Sequence, residues 1–250
     1  MLFKILLGLT VLAECVCVPV FLKYYWPDRC KKSFIFKVIS AALFVLCGFL
    51  CVKISGNNTP YASLMMWGLV LGFFGDVFLH SLQNKSWHFV LGFLSFLVGH
   101  IVYIVAFWKA IKTTYPGSPV FAWYELLATF ILLALMLTIM IKMGIFKGKE
   151  VLLVAFGAYG FILFTMLTKG LRYAIGEIAY GTNDHMLGVF LTVGLGAILF
   201  TVSDVILGFT IPMGKTTRLV RNINIGTYFA AQILLGISIL FVFSAFPLYP

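Results

Sequence analysis

The chain is poor in charge. Only 10% of its 250 residues are Asp, Glu, Lys or Arg, and just eight are acidic, where a soluble domain carries roughly 25% charged residues. Cysteine is absent after position 51, and the five present (15, 17, 30, 47 and 51) form no Cys-x-x-Cys pair. That excludes a thiolate zinc site and leaves the cysteines reading as small core residues. The four histidines are spread along the chain: His80 and His88 fall at one membrane rim, His100 nearer the midplane and His185 at the opposite rim. No shared metal and no cofactor is expected from that spacing. A Gly-x-Ser-x-Gly nucleophile elbow and a glycine-rich phosphate loop are both missing, which removes the serine hydrolases and the nucleotide-binding folds.

Apolar sequence fills the space. Hydrophobic residues make up 62% of the chain, and the mean hydropathy is +1.07. A spanning helix needs roughly 20 apolar residues, so the sequence predicts an all-α, polytopic integral membrane protein: eight helices in one bundle and a single domain over 1–250. They are expected at 2–22, 33–53, 61–82, 88–110, 119–143, 150–174, 186–210 and 222–246. Breaks fall at Pro27-Asp28, Gly56 to Pro60, Gln83-Asn84-Lys85, Pro116-Gly117, Gly148, Gly181 to Asp184 and Pro212 to Gly214. The first apolar run continues past Glu14 to Leu22 without a small-x-small cleavage site, so it reads as a retained helix rather than a signal peptide.

The net charge of +10 belongs to helix ends and membrane lipid headgroups, not to nucleic acid. Of the 18 Lys and Arg residues, twelve flank the odd-numbered loops and six the even-numbered loops and the N-terminus. The positive-inside rule then puts the odd loops in the cytoplasm and both termini on the other side, with the endoplasmic reticulum as the expected membrane. Asn57-Asn58-Thr59 is a sequon on the non-cytoplasmic side, and Asn84-Lys85-Ser86 one on the cytoplasmic side.

Within this background two aspartates stand out. Asp76 lies in WGLVLGFFGDVFLH and Asp204 in VGLGAILFTVSDVILGF. A carboxylate at membrane depth costs a few kcal/mol or more, so its presence twice calls for a use. At about 1.5 Å per residue, Asp76, Asp204, His100, Tyr159, Tyr228 and Gln232 all fall in the cytoplasmic half of the bilayer or near its midplane, with Lys37 at the cytoplasmic end of helix two. Asp76 shares a helical face with Gly68 and Gly72, Asp204 with Gly196 and Gly208. Asn224, Tyr228, Gln232 and Gly236 form one stripe, and Gly92, His100 and Tyr103 another. Small residues on a face admit a neighbouring helix, so both carboxyls point inward. Singly, Tyr228 and Gln232 are explained as interhelical hydrogen-bonding groups, His100 as an interior histidine, Asp76 and His80 as a helix-end pair, and Glu125 as a snorkelling residue beside Trp123 and Tyr124.

Two buried carboxyls can divide the work of a general acid and a general base. That suits hydrolysis through an oxocarbenium-like species, amide hydrolysis, or a proton relay in a transporter. The intramembrane aspartyl proteases carry Gly-x-Gly-Asp, which neither Phe73-Phe74-Gly75-Asp76 nor Thr201-Val202-Ser203-Asp204 matches.

The segments GDVFL (75–79), FVLGFLSFLVGHIVYIVAF (89–107), YGFILFTMLTK (159–169), GAILFTVSDVIL (196–207) and TYFAAQILLGIS (227–238) together resemble the YhhN-like lysoplasmalogenase family of eight-helix membrane proteins. The resemblance runs from about Lys37 to Ser238. It departs from the family at Val38, where proline is usual, and at Thr168-Lys169-Gly170, where Trp-Arg-Ala is favoured. The resemblance implies hydrolysis of the vinyl ether bond of a lysophospholipid substrate, giving a fatty aldehyde and glycerophosphoethanolamine or glycerophosphocholine, with no metal or cofactor. The matching positions are Lys37, Asp76, His100, Tyr103, Tyr159, Asp204, Tyr228 and Gln232. On that reading one aspartate protonates the substrate and the other activates water, in either order. Lys37 holds the phosphate and the remaining residues orient the reacting groups. A proton-coupled transporter of a small solute or lipid, using the same carboxyl pair, is the alternative.

Overall fold

The computed structural model describes every residue except 57–58, 82–85, 148–149, 182–184, 215 and 243–250, and the side chains at 86 and 150. Both sequons, at Asn57 and Asn84, therefore lie outside the described residues. The described chain is helical, with no strand, and eight of its helices are long and apolar enough to cross a membrane. They are α1 (Leu2–Tyr24), α2 (Lys31–Ser55), α3 (Pro60–Leu79), α4 (Ser86–Thr114), α5 (Trp123–Lys142), α6 (Glu150–Tyr180), α7 (Met186–Met213) and α8 (Arg218–Ile237), the last extended by a 3₁₀ turn at Ser238–Leu240. The protein is an all-α polytopic membrane protein, as its composition predicts.

The helices mostly run longer than their apolar stretches, because hydropathy marks the hydrocarbon core while the hydrogen-bonded helix continues to its caps. Helix α2 starts two residues before the expected 33. There Ser33 and Cys30 exchange side-chain and backbone bonds in a capping box. Helix α8 starts at Arg218 rather than 222, capped by the Thr217 hydroxyl on the Val220 amide. Helix α6 runs six residues past 174, whereas α5 begins at Trp123, four residues after the expected 119. At Gly56 and Gly214 the chain leaves α2 and α7 through left-handed φ values of 64° and 61°, where a Cβ would be strained. One feature of α7 has no signature in the hydropathy: a π-helical turn at Phe190–Gly194.

The core lies between α2, α3, α4, α7 and α8, with Phe44, Met65, Leu69, Phe107, Val193, Phe200 and Phe229 essentially closed to solvent. A smaller cluster of Met136, Met140, Phe146 and Phe164 joins α5 to α6. Leu2, Leu9, Leu12 and Val16 on α1, and Leu127, Phe130, Ile131 and Leu135 on α5, point outward. That is the lipid-facing side of a membrane bundle, where exposed apolar groups carry no penalty. Glycine sets the closest approaches. Added Cβ atoms would fall 2.4 Å from Leu69 at Gly48, 2.6 Å from Phe96 at Gly75 and 2.6 Å from Leu79 at Gly92, so α2, α3 and α4 pack through these positions.

The cysteines divide. Cys47 and Cys51 are buried in the core of α2, as a small-residue reading requires, but Cys15 faces outward from α1 and Cys30 is an exposed helix cap.

Candidate active site

Lys37, one and a half turns into α2, places its Nζ 2.9 Å from Oδ1 of Asp76, near the end of α3. The other carboxyl oxygen, Oδ2, accepts a hydrogen bond of 2.8 Å from the Tyr228 hydroxyl of α8. Behind Tyr228 the network continues: the Gln232 amide donates to the Tyr228 oxygen at 3.1 Å, and the Tyr103 hydroxyl of α4 donates to Gln232 Oε1 at 2.9 Å. Asp76 and Tyr103 are 2% and 1% exposed, and Gln232 is fully enclosed. Buried polar groups of this kind are stable only when each finds a partner, and here each does.

The network fits because two glycines of α3 leave it room. A Cβ at Gly68 would stand 2.1 Å from the Tyr103 ring, and one at Gly72 would stand 2.5 Å from Gln232 Nε2. The face shared by Gly68, Gly72 and Asp76 is thus occupied by the residues that hold Asp76.

Asp204 has a different setting. Its Oδ2 accepts from the Tyr159 hydroxyl of α6 at 2.5 Å and lies 3.2 Å from His100 Nε2 of α4. The other imidazole nitrogen, Nδ1, is 2.6 Å from the Phe96 carbonyl. A carbonyl only accepts, so Nδ1 carries a hydrogen, and the neutral ring turns its lone pair toward Asp204. Nε2 makes no hydrogen bond of its own among the described residues, although it lies beside the carboxyl. Asp76 thus faces two donors, whereas Asp204 faces the Tyr159 hydroxyl and the edge of the His100 ring.

Both aspartates line one cavity of about 380 Å³, within the roughly 300–1,000 Å³ typical of small-molecule sites. The cavity opens at the end of the bundle that carries the first, third and seventh loops, where Tyr25, Arg29, His80, Thr216 and Arg221 line it. A second, almost wholly apolar pocket meets it at Asp204, Phe89, Phe96 and Leu207 and continues past Phe93, Phe156, Tyr159 and Leu163. Asn224 ties two walls together, donating to the Ser203 carbonyl at 2.6 Å and to its hydroxyl at 3.1 Å.

All eight residues named from the sequence thus fall into two linked clusters: Lys37, Asp76, Tyr228, Gln232 and Tyr103 in one, Asp204, Tyr159 and His100 in the other. Lys37, expected at the cytoplasmic end of helix two, is the partner of Asp76. Two sequence readings are corrected. His80 does not pair with Asp76 through its side chain; its ring meets the Ser33 hydroxyl at 3.0 Å and packs on Phe21 and Tyr25. Glu125 does not snorkel. It is 2% exposed, accepts from Lys169 at 3.0 Å and Arg172 at 2.8 Å, and caps α5 through the Ala122 amide. The two cations of α6 recur at one-turn spacing, and that pattern was the available signal. Lys169 also donates to the Val120 carbonyl and Arg172 to that of Pro119, so this cluster clamps the fourth loop, away from the cavity. The sequence reading also missed Tyr25, Arg29, Ser203 and Arg221 as cavity residues; the two arginines were absorbed into the count of topology-setting charges. Among the described residues no three His, Cys, Asp or Glu side chains are placed to share a metal ion.

Eight packed spanning helices, with two carboxyls on one interior cavity, define a polytopic membrane protein. The sequence matches the YhhN family over residues 32–239, most of the chain, and the protein belongs to that family. The match spans all eight clustered residues and Arg221, and begins after Tyr25 and Arg29. No curated protein and no solved structure matches the chain.

Proposed function

We propose that this protein is a lysoplasmalogenase, hydrolysing the vinyl ether bond of a lysoplasmalogen to a fatty aldehyde and a glycerophosphoethanolamine or glycerophosphocholine. The observation that carries the reading is the unlike pair of carboxyls on one cavity: Asp76 held by Lys37 and Tyr228, Asp204 set between the Tyr159 hydroxyl and the His100 ring. Vinyl ether hydrolysis needs that division. A proton goes to the β-carbon of the C=C–O unit, and the double-bond electrons move to leave an oxocarbenium ion. Water adds to the α-carbon and loses a proton. The hemiacetal then collapses, its hydroxyl proton leaving as the C–O bond to glycerol breaks and that oxygen gains a proton.

In this reading the Asp204–His100 pair is the acid. Tyr159 fixes the carboxyl, and the His100 ring, anchored on the Phe96 carbonyl, shares and returns its proton. Asp76 stays ionised beside Lys37, faces the developing cation and accepts the proton of the attacking water. The apolar pocket that begins at Asp204, about 50 Å³, takes the first carbons of the hydrocarbon chain, which brings the vinyl ether, at the head of that chain, to the carboxyls. The mouth faces the cytoplasmic leaflet of the endoplasmic reticulum membrane, on the side with the excess of Lys and Arg.

A proton-coupled transporter would draw on the same carboxyls but needs a continuous run of polar groups through the thickness of the bundle. Below Gln232 the interior is closed by Met65, Leu69 and Phe107, and the other buried carboxyls, Glu14, Glu125 and Glu177, line neither described pocket. The test is aldehyde release from a lysoplasmalogen by the purified protein in detergent, beside Asp76→Asn and Asp204→Asn, with the matched 1-acyl lysophospholipid as control. Aldehyde from the unmodified protein alone is the expected result. No aldehyde from folded protein across pH and headgroups removes the assignment.

A further inference from the structure

The polar end of the cavity holds more positive charge than the carboxyls use. Lys37 is taken by Asp76, with 14% of its side chain exposed. Arg29 and Arg221 line the same mouth, and neither is paired with a carboxylate among the described residues. Arg221 is not a loose surface side chain. Its Nη1 donates to the Tyr25 and Pro27 carbonyls, both at 2.8 Å, and its guanidinium stacks on the Tyr25 and Trp26 rings at 4.4 and 4.8 Å. These contacts engage one nitrogen, Nη1, and hold the group against two rings, leaving the other nitrogens without a described partner. Arg29 follows two residues after Pro27 in the loop that Arg221 bonds, and it lines the same cavity. Within the field of these three cations lies His80, buried, with its ring nitrogen on the Ser33 hydroxyl. Burial, followed by the fields of Lys37, Arg29 and Arg221, lowers its pKa to about 2, so it adds no fourth charge. A topology signal needs lysines and arginines near the membrane, but it needs neither a pinned guanidinium nor convergence on a cavity.

We propose that Arg29 and Arg221 form the subsite for the phosphodiester of the substrate headgroup, in place of Lys37. The inference rests on the hydrolase reading for the identity of the lipid, though not for the anion. A fixed guanidinium presents a planar fork of donors that matches two phosphate oxygens. The phosphodiester lies a glycerol unit away from the vinyl ether, and the cavity runs from these arginines to the carboxyls. With the headgroup at the arginines and the chain in the apolar pocket, the glycerol spans the 380 Å³ cavity between them. The arrangement leaves Lys37 free to serve Asp76 alone.

The test is equilibrium binding by the full chain in neutral detergent, using three probes: a 1-alkyl ether lysophospholipid, which lacks the vinyl ether and is not turned over; the 1-alkylglycerol without phosphate; and inorganic phosphate. The variants are Arg29→Gln, whose side chain is exposed and bonds to nothing described, Arg221→Gln, and the double substitution. The expected result is a loss of about tenfold in lysophospholipid affinity for each arginine, unchanged affinity for the alkylglycerol, and much weaker Arg-dependent binding of inorganic phosphate. Arg29→Gln guards against misfolding of the Arg221 variants, since it leaves the loop-to-α8 bonds intact. Equal loss for both lipids, or no loss in Arg29→Gln, overturns the subsite. Inorganic phosphate binding as tightly as the lipid overturns the headgroup assignment in favour of a free-anion site. Because binding is read without turnover, these outcomes are distinct from a failure to release aldehyde, which bears only on the proposed activity.

Discussion

Replacing Lys37 with methionine removes the cation from Asp76 while keeping most of the side-chain volume. The carboxylate left behind is 2% exposed, and its one remaining donor is Tyr228. Stripping one partner from a buried ion pair costs about 3–5 kcal/mol, because the other charge can neither reach water nor find a substitute. Asp76→Asn is the milder half of the cycle. It leaves a lysine on a long flexible stem, 14% exposed and on the wall of a cavity that opens to solvent, so its ammonium can turn to water, and the expected cost is about 1–2 kcal/mol. In the double variant neither charge is stranded, and its stability should lie close to that of Asp76→Asn, giving a coupling equal to the Lys37→Met cost, about 3–5 kcal/mol. Thermal unfolding in one detergent, followed by intrinsic fluorescence, reads the cycle. At about 2–4 °C per kcal/mol for a chain of this size, Lys37→Met should melt about 6–20 °C lower and the double variant should recover much of that. Additive effects within about 0.5 kcal/mol would refute the claim that Lys37 is what holds Asp76 ionised.

Glu125→Ala strands Lys169, itself 1% exposed, and should cost about 3–5 kcal/mol in thermal unfolding while aldehyde release per folded molecule stays unchanged; a loss of turnover would tie the clamp to the site. Gly72→Ala sets a methyl 2.5 Å from Gln232 Nε2 and should lower kcat about tenfold by breaking the Gln232–Tyr228 bond, against Gly226→Ala, where nothing lies within 4 Å, as the control that should behave as the parent. For His80 the folded pKa of about 2 lies below the ordinary value of about 6.5. Its contribution to stability is therefore complete above pH 6.5 and is lost as pH falls from there toward 2, at up to about 1.4 kcal/mol per unit. His80→Gln should flatten that acid limb in a series of unfolding midpoints from pH 7.5 to 5, and an unchanged slope would contradict it.

The elements and the clusters were legible to different degrees, for physical reasons. Apolar length is a strong constraint in a bilayer, since every backbone group must be paired within its own segment, and each of the eight expected spans is present. Their ends were misplaced by up to six residues, because caps such as Cys30–Ser33 and Thr217 lie beyond the apolar window. The π turn in α7 arises from packing, and no residue announces it. The convergence of Asp76 with Tyr228 and Gln232 could be read from depth and from the glycine face of α3, because a helix converts sequence spacing into direction. Partner choice could not. Lys37 meeting Asp76 rather than water depends on how far α2 is set against α3, which Gly48 decides by admitting Leu69. Glu125 shows the same limit: its exposure was inferred from depth alone, and the cations that bury it lie on another helix, 44 and 47 positions further along the chain.

The order of charge along the cavity argues for an amphiphile as its occupant. From the mouth inward come two cations without carboxylate partners among the described residues, then a lysine paired with Asp76, then Asp204 beside His100, and finally a pocket walled by phenylalanine, leucine and methionine. Positive charge thus falls off with depth and ends where the walls become apolar. A small polar solute would gain nothing from the last step, and a hydrocarbon nothing from the first. A single-chain lipid with an anionic phosphate at one end gains from both and can thread the cavity in only one direction, since reversal would put phosphate against the phenylalanines and the chain against the arginines. On the proposed function, that polarity brings to the carboxyls the bond joining the chain to glycerol, between the two ends. A second acyl chain on the adjacent glycerol carbon would have to share the span beside Asp76 and Tyr228, both buried. Turnover should therefore fall by about a hundredfold or more when the free hydroxyl of the lysolipid is acylated, taking steric exclusion at about 3 kcal/mol. Aldehyde release from the diradyl plasmalogen at the same rate as from the lysolipid, measured in mixed micelles of equal surface concentration, would show that the cavity does not select for one chain.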